Sequence, residues 1–148
     1  MKSCNDVMTK DPTCCLVSDG IARAAEIMKN EDVGSVPVVE DDVTRRLVGI
    51  VTDRDIVLKI IAENRDRDAA TVGEIMSTSL VTCRPDDHYQ TAMDRMSQHQ
   101  VRRIPVVDGK GRIVGIISQA DIATRVDAPR RMAEVVENIS QPVQGARI

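Results

Sequence analysis

The feature that most constrains this chain is an internal repeat that spans nearly its whole length. An apolar run, a hydroxyl residue and then acids make up GIVTDRD at Gly49–Asp55, and the same arrangement returns as GIISQAD at Gly115–Asp121. Each copy follows a Pro-Val-Val segment, at Pro37–Val39 and at Pro105–Val107. A repeated unit of this kind cannot bury its apolar face alone. The chain is therefore predicted to fold by packing two similar sheets together.

The first half, residues 1–70, is predicted to run β-α-β-β-α after a short leading segment. Strands are expected at residues 13–17, 33–39 and 47–51, and the last of these is wholly apolar and is predicted to be central. Ser18 and Thr52 are the predicted N-caps of its two helices. The apolar residues at helical spacing are Ile21, Ala24, Ala25 and Met28 in the first helix, and Ile56, Val57, Ile60 and Ile61 in the second. A charged stretch from residue 63 to 70 is the predicted linker.

The second half, residues 71–148, repeats this order, so that the fold class is α/β (α+β). Strands are expected at residues 80–83, 104–107 and 113–117, with Asp86 and Ser118 as helix N-caps. The apolar helical faces are Tyr89, Ala92, Met93 and Met96, and then Ile122 and Val126. A further helix is predicted over residues 130–139, because Met132, Val135, Val136 and Ile139 recur at helical spacing.

A hydroxyl residue followed by Asp three positions later stands at the same place in both halves. Thr52 precedes Asp55, and Ser118 precedes Asp121. This pattern stabilises a helix start as a capping box without any ligand. The same helix start also suits an anion such as phosphate, and the Asp could accept from the two hydroxyls of a ribose. Two matched copies favour internal symmetry, but they do not separate the cap from the ligand site.

The repeat resembles a tandem pair of CBS domains, or Bateman module, over roughly residues 7–126. The two stretches above carry the likeness, together with VPVV and IPVV and with the leading segments Val7-Met8-Thr9 and Ile75-Met76-Ser77. The stretches TDRDIV and HQVRRIP are similar to small stand-alone bacterial CBS-pair proteins, a group that includes mycobacterial hypoxic-response proteins. The resemblance implies two halves related by a pseudo-twofold axis, with two clefts between them.

The resemblance also implies that each cleft binds an adenosine nucleotide or a related molecule. The Asp would bind the ribose, the hydroxyl residue would meet phosphate, and the Ile after Gly would contact the adenine. These residues are Ile50, Thr52 and Asp55 in one cleft, and Ile116, Ser118 and Asp121 in the other. Each cleft would be completed from the opposite half, by the leading segment and by the residues before the second-strand Pro.

The residues before that Pro differ between the halves. Arg102 and Arg103 stand where the first half has Gly34 and Ser35. Two guanidinium groups can bind phosphate through charge-assisted, bidentate contacts. By the implied exchange, the arginines would favour phosphate in the cleft of Thr52 and Asp55. The alternative is an ordinary surface pair, or one that forms ion pairs with the many acids.

Composition argues against several classes of function. A net charge of −3, the absence of Trp and Phe, and a single Tyr argue against general nucleic-acid binding. No apolar run has the length of a membrane span, and the first residues lack the apolar core of a signal peptide. A cytoplasmic location is therefore expected, in which the four cysteines stay reduced.

The cysteines and histidines predict no metal site and no catalytic centre. Cys4, Cys14, Cys15 and Cys83 form no C-x-x-C pair, and no His-x-x-x-His occurs. Neither a G-x-S-x-G motif nor a phosphate-binding loop is present.

The expectation is a regulatory module rather than an enzyme, with no required cofactor. The resemblance implies that its ligand is one of AMP, ADP, ATP, NAD and S-adenosylmethionine, and that ligand binding would report energy or redox state.

The expected partners are a second copy of the chain and a protein that the sequence does not identify. CBS pairs form homodimers through their helices, and the faces at Ile21, Ala24, Met28 and at Tyr89, Met93, Met96 are predicted to supply part of that surface. Two alternatives remain open. One is an interaction protein with empty clefts, and the other is a metal- or redox-responsive stress protein that uses its cysteines.

Overall fold

The computed structural model describes residues 2–126, so the helix predicted over 130–139 lies outside the described residues. The strands are β1 (Thr9–Lys10), β2 (Cys15–Leu16), β3 (Ser35–Val39), β4 (Leu47–Thr52), β5 (Arg103–Val107) and β6 (Ile113–Ser118). The helices are α1 (Cys4–Val7), α2 (Ile21–Glu31), α3 (Asp53–Ile56), α4 (Val72–Ile75), α5 (Tyr89–His99) and α6 (Gln119–Arg125). A π-helical turn, Val57–Ile61, continues α3.

The chain divides into two compact units, and each contains the leading segment of the other sequence half. Within the described residues, unit 1 comprises 2–10, 81–108 and 114–126, and unit 2 comprises 11–80 and 109–113. Each unit has helices and a three-stranded sheet, in the order β1-β6-β5 in unit 1 and β2-β3-β4 in unit 2. The predicted α/β class is confirmed.

The sheet of unit 2 has β3 at its centre. β3 pairs in parallel with β2 and antiparallel with β4, with Val38 opposite Cys15 and Val36 opposite Val51. The prediction that the apolar strand at 47–51 is central is therefore wrong. Its residues alternate between buried and half-buried, as expected of a strand with one face toward the core. The apolar outward residues Val48 and Ile50 are only half-buried.

Two helix starts lie two residues later than predicted, because a turn precedes each helix. The N-cap of α2 is Gly20 rather than Ser18, since Asp19 instead accepts a hydrogen bond from the Leu16 N–H at 2.8 Å. The N-cap of α5 is His88 rather than Asp86, and His88 Nδ1 accepts from the Gln90 N–H at 3.0 Å. In contrast, Thr52 and Ser118 are N-caps as predicted.

The helical segment after Thr52 buries fewer residues than its spacing predicts. Only Ile60 is fully buried, whereas Val57 and Ile61 are 54% and 66% exposed. The cause is the π-helical turn, in which the Ala62 N–H bonds to the carbonyl five residues earlier. This wider turn rotates the following side chains away from a 3.6-residue stripe. In α2, Ile27 is buried and Ala25 is exposed, so the apolar face of this helix contains Ile27 in place of the predicted Ala25.

Both units have cores built from aliphatic residues. Unit 1 has no first strand at 80–83, and a single parallel bridge joins Cys83 to Val106 there. Tyr89 and Met28 pack partly buried against the cores of their units. The other predicted dimer-surface residues, Ile21, Ala24, Met93 and Met96, are buried within their own units. Their assignment to a dimer surface is therefore wrong.

No helix in the described part of the chain is both long enough and apolar enough to cross a bilayer.

Candidate functional site

The first candidate site lies in unit 2, where β4 ends and α3 begins. Thr52 Oγ1 accepts a hydrogen bond from the Asp55 N–H at 3.1 Å. In return, Asp55 Oδ2 accepts from the Thr52 N–H at 2.9 Å and from the Thr52 hydroxyl at 3.0 Å. The capping box predicted from the sequence is therefore formed. It holds the Asp55 carboxylate in one orientation.

A lysine connects this carboxylate to the leading segment of the second half. Lys59 Nζ lies 3.2 Å from Asp55 Oδ1 and donates a hydrogen bond to the Ile75 carbonyl at 2.8 Å. Ile75 is the last residue of α4, whose final carbonyls have no partner within the helix. Lys59 therefore stabilises the end of α4 and neutralises part of the Asp55 charge.

Gly49 and Ile50 bring β4 against the same leading segment. The Ile50 N–H donates to the Ser77 carbonyl at 3.0 Å, and the Ser77 N–H donates back at 2.8 Å. A Cβ on Gly49 would lie 2.9 Å from Met76 Cγ and 3.0 Å from the Ser77 carbonyl oxygen. Only glycine permits this approach without displacing the neighbour. The Gly before Ile50 is thus required by packing.

Gly34 and Ser35 also lie at this helix start. Ser35 is opposite Thr52 in the β3–β4 ladder, and the Gly34 carbonyl accepts from the Asp53 N–H at 2.9 Å. A Cβ on Gly34 would lie 3.1 Å from Asp53 Oδ2. Unit 2 therefore brings together Ile50, Thr52, Asp55, Gly34 and Ser35.

The second candidate site lies in unit 1, where β6 ends and α6 begins. Ser118 Oγ accepts from the Asp121 N–H at 3.1 Å, and Asp121 Oδ2 accepts from the Ser118 N–H at 2.9 Å. Ser118 is only 7% exposed, and Ile116 is 8% exposed. The capping box is formed here also.

The leading segment of the first half crosses β6 as its counterpart crosses β4. Thr9 lies opposite Ile116 in the β1–β6 ladder. A Cβ on Gly115 would contact Met8 Sδ and would lie 3.0 Å from the Thr9 carbonyl oxygen. Arg125 donates through Nη1 to the Val7 carbonyl at 2.9 Å and to the Met8 carbonyl at 2.7 Å.

The arginine pair lies in the same unit as Ser118 and Asp121. The Arg102 carbonyl accepts from the Gln119 N–H at 3.1 Å, and Arg103 is the first residue of β5. This position matches that of Gly34 beside Asp53. The expected role of both arginines at the cleft of Thr52 and Asp55 stays a prediction.

The formed capping boxes do not exclude a ligand role for the two acids. An ionised carboxylate has two oxygens and about four acceptor positions. The box at Asp121 uses one oxygen, and the box at Asp55 also uses one. A carboxylate held by its own backbone is preorganised to accept further donors. The cap and the ligand contact are therefore compatible.

The thiols lie mostly in the cores. Cys4 and Cys83 share a hydrogen bond, which raises the pKa of Cys4 and lowers that of Cys83. Arg95 Nη1 lies 3.8 Å from Cys83 Sγ and also favours its thiolate. Burial raises the pKa of Cys15 to about 11. Among residues 2–126, no group of three or more His, Cys, Asp or Glu side chains could hold a metal ion.

Four residues at these sites were missed by the sequence reasoning. They are the two glycines at the strand crossings and the two cations that anchor the leading segments, namely Gly49, Gly115, Lys59 and Arg125. The two cations could have been identified from the internal repeat. Each cation stands seven residues after its hydroxyl residue, so an alignment of the two halves pairs them.

A family model of the CBS domain matches residues 4–62 and again residues 72–128. The chain belongs to the CBS domain family. The CBS domain-containing protein YhcV of Bacillus subtilis is 39% identical over 140 residues, which cover 95% of this chain and 96% of that protein. Hypoxic response protein 1 of Mycobacterium tuberculosis is 35% identical over 143 residues, covering 97% of each chain. The tandem CBS pair predicted from the sequence is confirmed.

Solved CBS structures share this fold. Hypoxic Response Protein I with two coordinated zinc ions has a TM-score of 0.77 at 36% identity, covering 84% of this chain and 99% of that one. The CBS domain pair of protein MJ0100, in complex with 5′-methylthioadenosine and S-adenosyl-L-methionine, has a TM-score of 0.71 at 31% identity, covering 84% and 94%. CBSX2 in complex with AMP has a TM-score of 0.70 at 26% identity, covering 84% and 95%.

Proposed function

We propose that this CBS pair is a regulatory module that binds an adenosine-containing ligand at the two helix starts. One observation carries the proposal: each unit presents the same hydroxyl–acid pair, fixed by reciprocal hydrogen bonds, beside the leading segment of the other sequence half. The related CBS pairs of MJ0100 and CBSX2, whose structures contain S-adenosylmethionine, methylthioadenosine or AMP, support it. All three ligands contain adenosine.

The proposed roles follow the chemistry of adenosine. The carboxylates of Asp55 and Asp121 accept from ribose hydroxyls, because a carboxylate has acceptor positions beyond its cap. Ile50 and Ile116 provide apolar contact for the adenine ring. Thr52 and Ser118 are the proposed contacts of a ligand phosphate. The Ser118 hydroxyl accepts from the Asp121 N–H and can donate to a phosphate oxygen, whereas the Thr52 hydroxyl must give up its bond to Asp55 to do so.

Arg102 and Arg103 are proposed to select ligands by phosphate charge, whereas Gly34 and Ser35 add no cation at the equivalent place. Affinity for ATP should then fall as salt rises, because exposed charges are screened over about 8–10 Å at ordinary ionic strength. Adenosine binding should be almost independent of salt. Replacing both arginines with Ala should remove most of the preference for ATP over adenosine, as measured by calorimetric titration. A double variant that keeps this preference would show that the arginines are ordinary surface residues.

A regulatory role requires that the ligand favours one conformation or assembly over another. Binding in one unit would alter the packing of the leading segment, which pairs directly with Ile50 in unit 2 and with Ile116 in unit 1. The response would reach a protein partner or a second copy of the chain. No step of this role requires catalysis or a bound cofactor.

The proposal is tested by a thermal-shift screen of adenosine, AMP, ADP, ATP, NAD and S-adenosylmethionine, with guanosine as the control. A ligand at 100 times its Kd stabilises the folded state by about 2.7 kcal/mol. We expect one or more of the adenosine compounds to raise the Tm and guanosine to leave it unchanged. If no adenosine compound raises the Tm or gives heat in titration, the empty-cleft interaction protein becomes the better hypothesis.

A zinc-dependent stress protein is the second candidate, because the related Hypoxic Response Protein I holds two coordinated zinc ions. Structural zinc needs about four ligands of the Cys or His type. The described residues gather no three such side chains. Metal analysis of the purified protein separates the candidates, since near-stoichiometric zinc that survives dialysis would favour the second.

A further inference from the structure

The lysine at the first site lies between the acid and the leading segment of the second half. Lys59 Nζ bridges Asp55 Oδ1 at 3.2 Å and the Ile75 carbonyl at 2.8 Å. The Asp55 side chain is only 16% exposed, while that of Lys59 is 43% exposed. The acid is thus the more confined member of the pair, and the lysine has access to solvent.

The equivalent cation at the second site makes only half of this arrangement. Arg125 bonds the Val7 and Met8 carbonyls, as Lys59 bonds the Ile75 carbonyl. Within the described part of the chain, Arg125 forms no ion pair with Asp121. The two sites therefore share the anchor of the leading segment and differ in the charge pairing of the acid.

This difference changes how many donors each carboxylate can accept. Asp55 Oδ2 already accepts two hydrogen bonds from Thr52, and Oδ1 faces the Lys59 ammonium. Each carboxylate oxygen offers about two acceptor positions, so about one position on Oδ1 remains. A single hydroxyl fits there, whereas the two hydroxyls of a ribose diol require an existing donor to leave. Asp121 Oδ2 accepts one bond from the Ser118 N–H, so a diol there displaces no cation that belongs to the described part of the chain.

We propose that Lys59 is a specificity-determining residue that competes with a ribose diol for Asp55 and so weakens diol binding at the first site relative to the second. This inference rests on the proposed adenosine-binding function. The lysine is the donor expected to leave, because it is on the solvent side and its displacement breaks no backbone hydrogen bond. After release it still bonds the Ile75 carbonyl, so α4 keeps its anchor.

The test isolates the first site by building every variant on Asp121→Ala, which removes the second diol acceptor. Adenosine and 2′-deoxyadenosine are titrated against this parent and against its Lys59→Met derivative. An exposed ion pair of this kind is worth about 0.2–0.5 kcal/mol, so Lys59→Met should tighten adenosine binding about 1.4- to 2.3-fold. Deoxyadenosine offers one ribose hydroxyl at that carboxylate, so its affinity should not change. The ratio of the two affinities should therefore rise.

Two matched variants separate the ion pair from the carbonyl anchor. Lys59→Gln can still donate to the Ile75 carbonyl but carries no charge, and it should reproduce the gain even if Lys59→Met folds poorly. Arg125→Met removes the corresponding anchor in unit 1 without removing an ion pair to any described residue, and it should leave the affinity ratio unchanged.

The outcomes separate this inference from the proposed function. Adenosine binding that is unchanged or weaker in both lysine variants overturns the role of Lys59 and leaves the adenosine site standing. That result would indicate that the diol displaces the Thr52 hydroxyl, rather than Lys59, from Asp55. If adenosine binds neither the wild type nor any variant, the proposed function fails, and this inference fails with it.

Discussion

Replacing Asp55 with Ala separates the capping role of this acid from its proposed ligand role. The change removes two hydrogen bonds to Oδ2 from Thr52, at 2.9 and 3.0 Å, and the Lys59 ion pair at 3.2 Å. Loss of a helix-start cap costs about 0.5–1 kcal/mol. The ion pair adds only about 0.2–0.5 kcal/mol, because solvent screens the 43%-exposed lysine. The variant should therefore lose about 1 kcal/mol, or roughly 2–4 °C in Tm.

The effect on affinity should be larger than the effect on stability. A lost hydrogen bond between a charged group and a ligand hydroxyl costs about 1.5–3 kcal/mol, which corresponds to about a 10- to 150-fold weaker Kd. Calorimetric titration with AMP and adenosine measures the affinity, and thermal unfolding without ligand measures the stability. Both are compared with the wild type.

Another capping box in the same chain provides the control. Asp6 Oδ2 accepts from the Ser3 N–H at 2.9 Å and from the Ser3 hydroxyl at 3.1 Å, which reproduces the geometry at Asp55. These bonds lower the pKa of Asp6, so its stabilising effect is present above pH 3.8 and is lost as the pH falls below that value. Asp6→Ala should remove a cap and leave nucleotide affinity unchanged. Wild-type affinity in Asp55→Ala, together with a lowered Tm, would refute the ligand role and leave only the cap.

Three further predictions follow from the packing. Gly49→Ala and Gly115→Ala should each lower the free energy of unfolding by roughly 1–3 kcal/mol through overpacking at the strand crossings. Gly20→Ala is the control, because nothing lies within 4 Å of its added Cβ, and a loss as large at Gly20 would contradict the steric explanation. The Cys15 thiol, with a pKa of about 11, should react with iodoacetamide faster in the native protein as the pH rises from 8 to 11, and fast labelling at pH 8 would contradict its burial. The chain should be a homodimer by light scattering at micromolar concentration, and Ile61→Asp, on the exposed apolar π-turn, should shift it toward monomer; a monomeric wild type would refute the dimer.

The sequence predicted those parts of the fold that depend on local pattern and on the repeat. Thr52 and Ser118 cap their helices because a hydroxyl there can accept from the backbone three residues on, and this needs no tertiary information. The strands expected at 33–39, 47–51, 104–107 and 113–117 were predicted from their apolar runs, which is also local information. The position of each strand in the sheet was not predicted correctly. β3 and β4 are both apolar, and only their hydrogen-bonded pairing shows which of them is central.

Local exceptions to regular geometry account for the remaining errors. The π-turn after α3 is a change in hydrogen bonding that apolar spacing does not encode, so Val57 and Ile61 were assigned to the core. At α2, Asp19 bonds the preceding Leu16 N–H, and the helix therefore starts after Gly20. In each case a short-range bond competes with the pattern and takes precedence over it.

The two halves share a scaffold but have diverged at the positions around each acid. The hydroxyl, the acid and the glycine at the strand crossing are kept in both, because each satisfies a backbone or packing requirement that both units have. The positions around each acid satisfy no backbone or packing requirement that both units share, and the charges at these positions differ between the two units. Gly34 occupies the place of Arg102, and among residues 2–126 the Lys59 ion pair has no counterpart at Asp121. Two identical sites would respond to the same ligand at the same concentration. Under the proposed function, these differences would let the two sites of one chain respond at different ligand levels.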